Sequence, residues 1–473
     1  MNWRITLSTF LILCGFLACK EEEKQTDNID GLLENPWQYA QEIVDNITIP
    51  SFPDKGYLIT DFGAISDQET DCSKAINDAI SACSESGGGK VIVPAGTFLT
   101  GAIHLKSNVN LHISEGATLL FSKDKSKYLP VVHTRFEGME CMNYSPLIYA
   151  YKQDNIAITG KGKVDGQGKV WWHWKGKWSG SVEDEFNQNS SENQHSDNAL
   201  LTKMVEDNVP VEERVFGEGH YLRPSFIQPY LCNNVLIEGI TIVEAPMWII
   251  HPVLCEDVTV KSVKIESLGP NNDGCDPECC KNVLIDDCYF DTGDDCIAIK
   301  SGRNNDGRRI GVASENIVVR NSKMVEGHGG VVMGSEISGD VRYVFAENCI
   351  MDSPNLERAI RIKSNSVRGG TIEHIYVRNI EVKQVREAVL KINMYYSKER
   401  AKNIPIARNV YMENVKGFKS EYGVWIEAYK DQPARNIVLN NCDFSNVEKG
   451  NHLVNSEGLV FDNFVVNGKV ITE

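Results

Sequence analysis

The chain has 473 residues, of which 42% are apolar and 24% are charged, so it can form a large core in one elongated domain or two ordinary ones. Its formal net charge of −17 argues against nucleic acid and anionic membrane surfaces as partners, although a local basic pocket could still hold an anion.

The first residues have the pattern of an export signal. The apolar run from Ile5 to Leu17 follows one arginine and is too short to span a bilayer. A small residue then precedes Cys19, and KEEEK follows, which resembles a lipoprotein signal whose cysteine is acylated. We therefore expect a signal peptide over residues 1–19, lipidation at Cys19, and a tether over residues 20–55. The expected location is the outer membrane, as a lipoprotein at the cell surface or in the periplasm; the alternative is a plain secretory signal with an incidental cysteine.

The stretch DCSKAINDAISACSESGGG predicts a short helix. Ala75, Ile76, Ala79, Ile80 and Cys83 fall on one helical face, and three glycines end the pattern. Such a helix can close the end of a stacked structure.

Between about residues 166 and 221, an insertion interrupts the pattern of the rest of the chain. It opens with VWWHWKGKW and continues as a polar, acidic stretch rich in Asn and Ser. Two interpretations are open. The segment walls a substrate cleft, or its aromatic side chains pack together and anchor a long insertion.

Short apolar alternations that end near Asn, Asp or Gly recur along most of the chain. Their first apolar residues lie 23 to 35 residues apart. This period, with few helical patterns, indicates a solenoid of short strands whose corners suit Asn and Asp in left-handed conformations. We predict an all-β fold over residues 56–473, a right-handed single-stranded parallel β-helix of about ten coils, capped by the helix above. The anchors are Val235, Val258, Val283, Ile317, Val344, Ile375, Val410 and Ile437.

The chain has fourteen cysteines, twelve of them beyond the signal. Several, including Cys288, Cys349 and Cys442, occupy a repeated apolar position, so we predict buried thiols in the core. The group of Cys275, Cys279 and Cys280 has no matching Cys or His pair nearby, and structural thiols are favoured over a metal site.

The stretch GPNNDGCDPECCKNVLIDDCYFDTGDDCIAIKSG combines many carboxylates with an apolar pattern. Asp273 and Asp294 are separated by close to one coil, and the next two coils bring His328 and then Arg361 to the same side. Asp295 follows Asp294, and the preceding glycine permits a local bend that lets both reach one cleft. Clustered carboxylates raise at least one pKa, and a protonated acid beside ionised bases is the equipment of glycoside hydrolysis.

Four ordered motifs resemble those of the polygalacturonase family, glycoside hydrolase family 28. They are NNDG at 271–274, GDDCIAIKSG at 293–302, GHGG at 327–330 and RIKS at 361–364. The resemblance covers roughly residues 55 to 470, with one departure at Asn272, where the family usually has Thr. It implies inverting hydrolysis of α-1,4-linked galacturonic acid in pectin, with no metal and no cofactor.

The resemblance also implies roles for individual residues. Asp294 is the general acid, Asp273 and Asp295 activate the water, and His328 tunes the acid. Arg361 and Lys363 bind a substrate carboxylate. The substrate contacts that the motifs further suggest are Asn271, Tyr396 in INMYY and His251 in MWIIHPVLCE.

The last of these stretches resembles bacterial exo-acting members, although a packed core His251 is an equal alternative. A rhamnogalacturonan hydrolase of the same family is the main alternative function. A calcium-dependent pectate lyase and a non-catalytic glycan-binding β-helix fit the carboxylate set less well. Exo or endo action and the oligomeric state stay open.

Overall fold

The computed structural model describes residues 32–176 and 192–472. Within them, short strands wind into coils with three faces, and the strands of each face pair in parallel with those of neighbouring coils. The predicted parallel β-helix is confirmed.

The first face carries the apolar repeat. The eight anchors predicted from sequence, Val235 to Ile437, are direct partners in the observed register. Its strands are Gly56–Leu58, Gly89–Val93, Val109–Ile113, Asp154–Gly160, Asn233–Glu238, Glu256–Lys261, Lys281–Asp286, Ser314–Arg320, Val341–Glu347, Thr371–Arg378, Ile406–Glu413, Ala434–Phe444 and Ser456–Val466.

The second face follows the first after a short corner, and its last two strands are the C-terminal parts of Ala434–Phe444 and Ser456–Val466. Its other strands are Asp67–Asp71, Gly96–Thr100, Ala117–Phe121, Lys163–Asp165, Thr241–Val243, Lys264–Ser267, Tyr289–Thr292, Lys323–Glu326, Ile350–Asp352, Glu381–Gln384 and Lys416–Gly417.

The third face includes two coils, at residues 250–253 and 275–278, that join it through single bridges. Its strands are Ile103–His104, Ile148–Tyr151, Ile227–Tyr230, Ile297–Ile299, Val331–Met333, Arg358–Lys363, Ala388–Asn393, Tyr422–Glu427 and His452–Val454.

Asparagines form the corners between faces, as the sequence indicated. Asn282 and Asn316 have φ angles of 57° and 58°, a left-handed conformation that Asn tolerates. The Asn316 side chain donates to Asn282 Oδ1 at 3.0 Å, so the corner amides of successive coils also bind each other.

The described first face has thirteen strands, more than the ten or so coils predicted. The extra coils lie mainly at the N-terminal end, where the strands lack the Asn-ended pattern. The predicted helix, Ser73–Glu85, is present and buries all five residues of its apolar face against the first coils. It closes the N-terminal end of the core.

Residues 32–55, which we expected to belong to a tether, pack instead against the outside of the first face. A helix, Pro36–Asn46, buries Ala40 and Ile43 against outward-facing Leu284, Val318, Phe345 and Tyr376. The physical reason is that the outer side of these strands is apolar and needs a cover. We call residues 32–55 the strap. The predicted signal and Cys19 lie outside the described residues.

Two insertions leave the coils and come together beside the third face. A hairpin of Val132–Phe136 and Met139–Asn143 is joined by Val215–Phe216. The second insertion contains helices Lys169–Trp172 and His195–Glu206. The remaining elements are helix Asn304–Ile310, strand Lys469–Ile471, and 3-10 turns Ile59–Phe62, Lys125–Tyr128, His173–Lys175 and Val211–Glu213.

All twelve cysteines in the described part of the chain are buried and free of disulfides. They act as core side chains, as predicted. None of the helices described there is long and apolar enough to cross a bilayer.

Candidate active site

The predicted catalytic side chains meet where the chain enters the third face. Cys275, Ile297, Val331 and Ile360 are partners on four consecutive coils. Asp273 lies two residues before Cys275, and Asp295 lies two residues before Ile297. Because Cys275 pairs with Ile297, the register places Asp295 above Asp273. From the spacing in the sequence, we expected Asp294 rather than Asp295 to lie one coil above Asp273.

A close backbone approach explains how Asp294 and Asp295 both come near Asp273, although Asp294 lines the pocket and Asp295 is fully buried. A Cβ on Gly293 would lie 2.2 Å from the Gly269 carbonyl oxygen, so only glycine fits at this bend. Oxygens of Asp273, Asp294 and Asp295 then lie within 4.8 Å of one another.

Each of the three carboxylates faces a different cation. Lys363 Nζ lies 2.6 Å from Asp295 Oδ2, and an Arg361 guanidinium nitrogen lies 3.5 Å from Asp295 Oδ1. Lys300 Nζ lies 3.5 Å from Asp273 Oδ2. Asp294 Oδ1 is 2.9 Å from His328 Nδ1. Two acids therefore face lysine or arginine, whereas the partner of Asp294 is an imidazole that can gain or lose a proton.

The carboxyl pKa values are pushed apart. Burial raises the pKa of Asp273 well above its ordinary value, and the charges of Asp294 and Asp276 add to this against the opposing effect of Lys300. Burial acts the same way on Asp294, but the charge and hydrogen bond of His328 outweigh it and hold the pKa of Asp294 low. The charge of Asp294 in turn raises the pKa of His328. One proton is thus held between His328 and Asp294.

Two oxygens in the cluster are buried without a hydrogen-bond donor. Asp273 Oδ1 and Asp295 Oδ1 accept no hydrogen bond from the described residues. They belong to equivalent positions on adjacent coils and can together orient one nucleophilic water.

The same three acids are the one group of His, Cys, Asp and Glu in the described ranges with a spacing that could suit a metal ion. Lys300, Lys363 and Arg361 already neutralise this group. Its donor chemistry therefore fits protein cations and a proton rather than a metal.

The acids open into a pocket of about 230 Å³ that runs along the third face. Asn271, Asp273 and Asp294 line one end. Glu137, Lys175, Arg303, Glu336 and Arg368 line the other end.

The second end is closed by the hairpin. Glu137 at its tip accepts from an Arg303 guanidinium nitrogen at 2.6 Å, and the Gly138 carbonyl accepts from the Arg303 N–H at 3.0 Å. The Asn198 side chain, on the second insertion, donates to Glu137 at 2.9 Å.

Three predicted substrate contacts line the pocket: Asn271, Lys363 and Tyr396. Lys363 is nevertheless bound to Asp295, and the Tyr396 ring lies against Arg361 and Lys363 at 5.6 and 5.2 Å. Arg361 and Lys363, which we expected to bind the substrate, therefore contact a predicted catalytic acid in the free protein.

His251 does not reach the pocket. It is fully buried, and its Nε2 lies 2.8 Å from Glu278, which is itself paired with buried Arg135 of the hairpin. Trp248, three residues earlier, lines the pocket in its place. The alternative of a packed core histidine is the one that fits.

The Trp-rich stretch serves packing and the cleft at once. Trp171, Trp172 and Trp174 are buried, with the Trp171 and Trp174 rings 5.0 Å apart in an edge-on contact. Lys175 follows them and lines the closed end of the pocket. Trp178 lies outside the described residues.

Sequence reasoning missed Lys175, Lys300, Arg303 and Arg223. Lys300 stands inside the GDDCIAIKSG motif, so that motif could have indicated it. Arg223 is buried and donates to Asn271 Oδ1 at 2.7 Å and to the Pro270 carbonyl at 2.6 Å. Only the fold brings Arg223 under Asn271.

Two family models match parts of the chain. The model of glycosyl hydrolases family 28 matches residues 218–457, and a rhamnogalacturonase A/epimerase, pectate lyase-like model matches residues 58–128. The structure of a hyperthermoactive exopolygalacturonase from Thermotoga maritima is similar at 45% identity with a TM-score of 0.88, covering 93% of this chain and 97% of that one.

Two curated relatives are each 29% identical to the chain. A probable polygalacturonase of Vitis vinifera aligns with 81% of this chain and 73% of its own length. An exo-poly-alpha-D-galacturonosidase of Dickeya chrysanthemi aligns with 72% of this chain and 57% of its own length.

Proposed function

The chain belongs to glycosyl hydrolases family 28, and from this premise we propose that it is a polygalacturonase that removes galacturonic acid from the ends of pectic oligosaccharides. The observation that carries the exo mode is the pocket closed at one end by the hairpin. A volume of about 230 Å³ is below the roughly 300–1,000 Å³ common for ligand pockets, and it suits a chain end rather than the middle of a polymer.

The charges of the pocket support galacturonate as the bound sugar. Lys175, Arg303 and Arg368 line its closed end. Arg303 is paired with Glu137, whereas Lys175 has no ion pair within 4 Å among the described residues. A free ammonium group at the closed end is suited to the carboxylate of the terminal sugar.

The proposed chemistry uses the three acids unequally. The proton between His328 and Asp294 moves onto Asp294, which donates it to the glycosidic oxygen. Asp273 and Asp295, whose charged forms the contacts with Lys300 and Lys363 stabilise, remove a proton from the water that attacks the anomeric carbon from the opposite side. Because the water displaces the leaving group in a single step from the opposite face, the configuration at the anomeric carbon is inverted.

The test is the product pattern from oligogalacturonides labelled at the reducing end. We expect galacturonic acid as the earliest product, released from the unlabelled end, and the β anomer as the first form seen by proton NMR. Activity should survive EDTA, with no absorbance from unsaturated uronides.

Asp294→Asn protein is the control for contaminating activity. Internal cleavage from the start would contradict the exo mode. A retained α anomer would contradict inversion. Calcium-dependent unsaturated products would identify a lyase.

We also propose that the protein is exported and anchored through a lipid on Cys19, on the strength of the sequence pattern alone. Metabolic labelling with a fatty-acid analogue should mark the wild type and not Cys19→Ala. Equal labelling of both would rule out this anchor.

A further inference from the structure

An almost fully buried ammonium group lies beside the predicted catalytic acids and lines the same pocket. Lys300 is 2% exposed and lies 3.5 Å from Asp273, 3.5 Å from Asp276 and 3.4 Å from Glu336. The ring of Trp248 covers it, with the Nζ atom 4.4 Å from the ring centre. This cation therefore contacts three carboxylates at once and is shielded from solvent.

Asp276 depends on Lys300 for compensation of its charge. It is fully buried, and neither of its oxygens accepts a hydrogen bond from another described group. Lys300 is the only cation within 4 Å of it in the ranges 32–176 and 192–472. Glu336 differs, because Arg368 lies 3.7 Å away and Ser335 also donates to it. Asp273 and Asp276 thus compete for one ammonium group.

We propose that Lys300 is a positioning residue that stabilises the ionised, basic form of Asp273, and that Asp276 limits this effect by sharing the same ammonium group. The inference rests on the proposed function. A cation at this distance lowers the pKa of a carboxyl by about 1–3 units, and a second carboxylate beside it works in the opposite direction.

Other charges also face Asp273. Asp294 and Asp295 contribute negative charge from the next coil. Lys175 and Arg223 contribute positive charge from the second insertion. Neither forms an ion contact with Asp273 within 4 Å, whereas Lys300 does. Removal of Lys300 should therefore have a larger effect than the other cations can offset.

The test compares the pH dependence of kcat for the wild type, Lys300→Met, Lys300→Arg and Asp276→Asn on trigalacturonate. Without the ammonium charge, the pKa of Asp273 rises, so the acid limb of Lys300→Met should move up by about one pH unit or more. Without the competing carboxylate, the pKa falls, so the acid limb of Asp276→Asn should move down. Lys300→Arg keeps the charge and should hold the limb near that of the wild type.

The opposite signs separate this role from a structural one. A loss of packing would lower kcat at every pH and leave both limbs in place, which would overturn the inference while wild-type hydrolysis upholds the proposed function. A wild type without activity on any galacturonate oligomer would instead overturn the proposed function. Circular dichroism and thermal unfolding check that each variant is folded. If Lys300→Met does not fold, the Asp276→Asn variant tests the inference alone: a downward shift of its acid limb supports the inference, and an unchanged limb overturns it.

Discussion

Asp294 differs from its two neighbours in the partner that it faces. Asp273 and Asp295 lie beside lysines, whereas Asp294 lies beside His328, whose imidazole can gain or lose a proton. In the proposed mechanism, that difference selects one of three similar carboxyl groups as the proton donor. The three residues are of the same type, so the sequence does not distinguish them, whereas the partner that each one contacts does.

Replacing Asp294 with Asn should remove the general acid without disturbing the fold. We expect a loss of about 10² to 10⁴ in kcat. Asp287→Asn is the matched control, because Asp287 lies at an exposed corner with φ 56°, a conformation Asn accepts. The assignment is wrong if Asp294→Asn retains activity within tenfold of the wild type.

The structure changes the expectation for Lys363. If its ammonium group chiefly binds a substrate carboxylate, Lys363→Met should lose rate on free galacturonate oligomers and little on methyl-esterified ones. Because Lys363 contacts Asp295 at 2.6 Å, we expect comparable losses on both substrates. A loss confined to the free oligomers would restore the role in carboxylate binding.

At the scale of elements, the hairpin sets the shape of the pocket. A Cβ on Gly138 would lie 2.9 Å from the Arg303 backbone nitrogen, so Gly138→Ala should displace the tip from the closed end. We expect a higher KM for trigalacturonate and the appearance of longer products. Gly116→Ala is the control: its φ of 79° resembles the 81° of Gly138, but its Cβ would meet only ordinary contacts at 3.5 Å. Identical product patterns in the two variants would show that the hairpin does not determine the exo mode.

The strap is a second element whose contribution is measurable. Ile43 is buried against the first face, whereas Ile49, further along the strap, is 53% exposed. Ile43→Ala should lower the free energy of unfolding by about 2–5 kcal/mol, and Ile49→Ala should change it by less than about 0.5 kcal/mol. Denaturant unfolding measures both. Equal effects would mean that the strap contributes little to stability.

At the scale of the whole molecule, the net charge opposes the proposed substrate. The protein carries −17 and galacturonate oligomers are polyanions, so long-range repulsion should slow their encounter. Raising the ionic strength from about 0.01 to 0.15 M shortens the screening length from about 30 to 8 Å. We expect kcat/KM to rise over this range for free oligomers and to change little for methyl-esterified ones. A fall for the free oligomers would show that local attraction in the pocket governs the encounter.

The sequence by itself determined the coil. Apolar alternation, Asn corners and spacing gave the parallel β-helix and even the register of its anchors, because each coil repeats the same local rules of side-chain direction and backbone conformation. It also gathered Asp273, Asp294, Asp295, His328 and Arg361 on one side, since stacked coils convert sequence period into spatial proximity.

Only the tertiary structure decided which cation each acid faces and where the pocket ends. The hairpin, the strap and Lys175 lie outside the repeating coils, so the period of the repeat does not predict where they pack. Lys300 and Asp276 lie in the repeat, yet their competition depends on distances of 3.5 Å that spacing cannot resolve. His251 is the converse case. The motif around it suggested a contact with substrate, but its side chain is buried in the folded protein. Electrostatic strength depends on separation and burial, and both are properties of the folded chain.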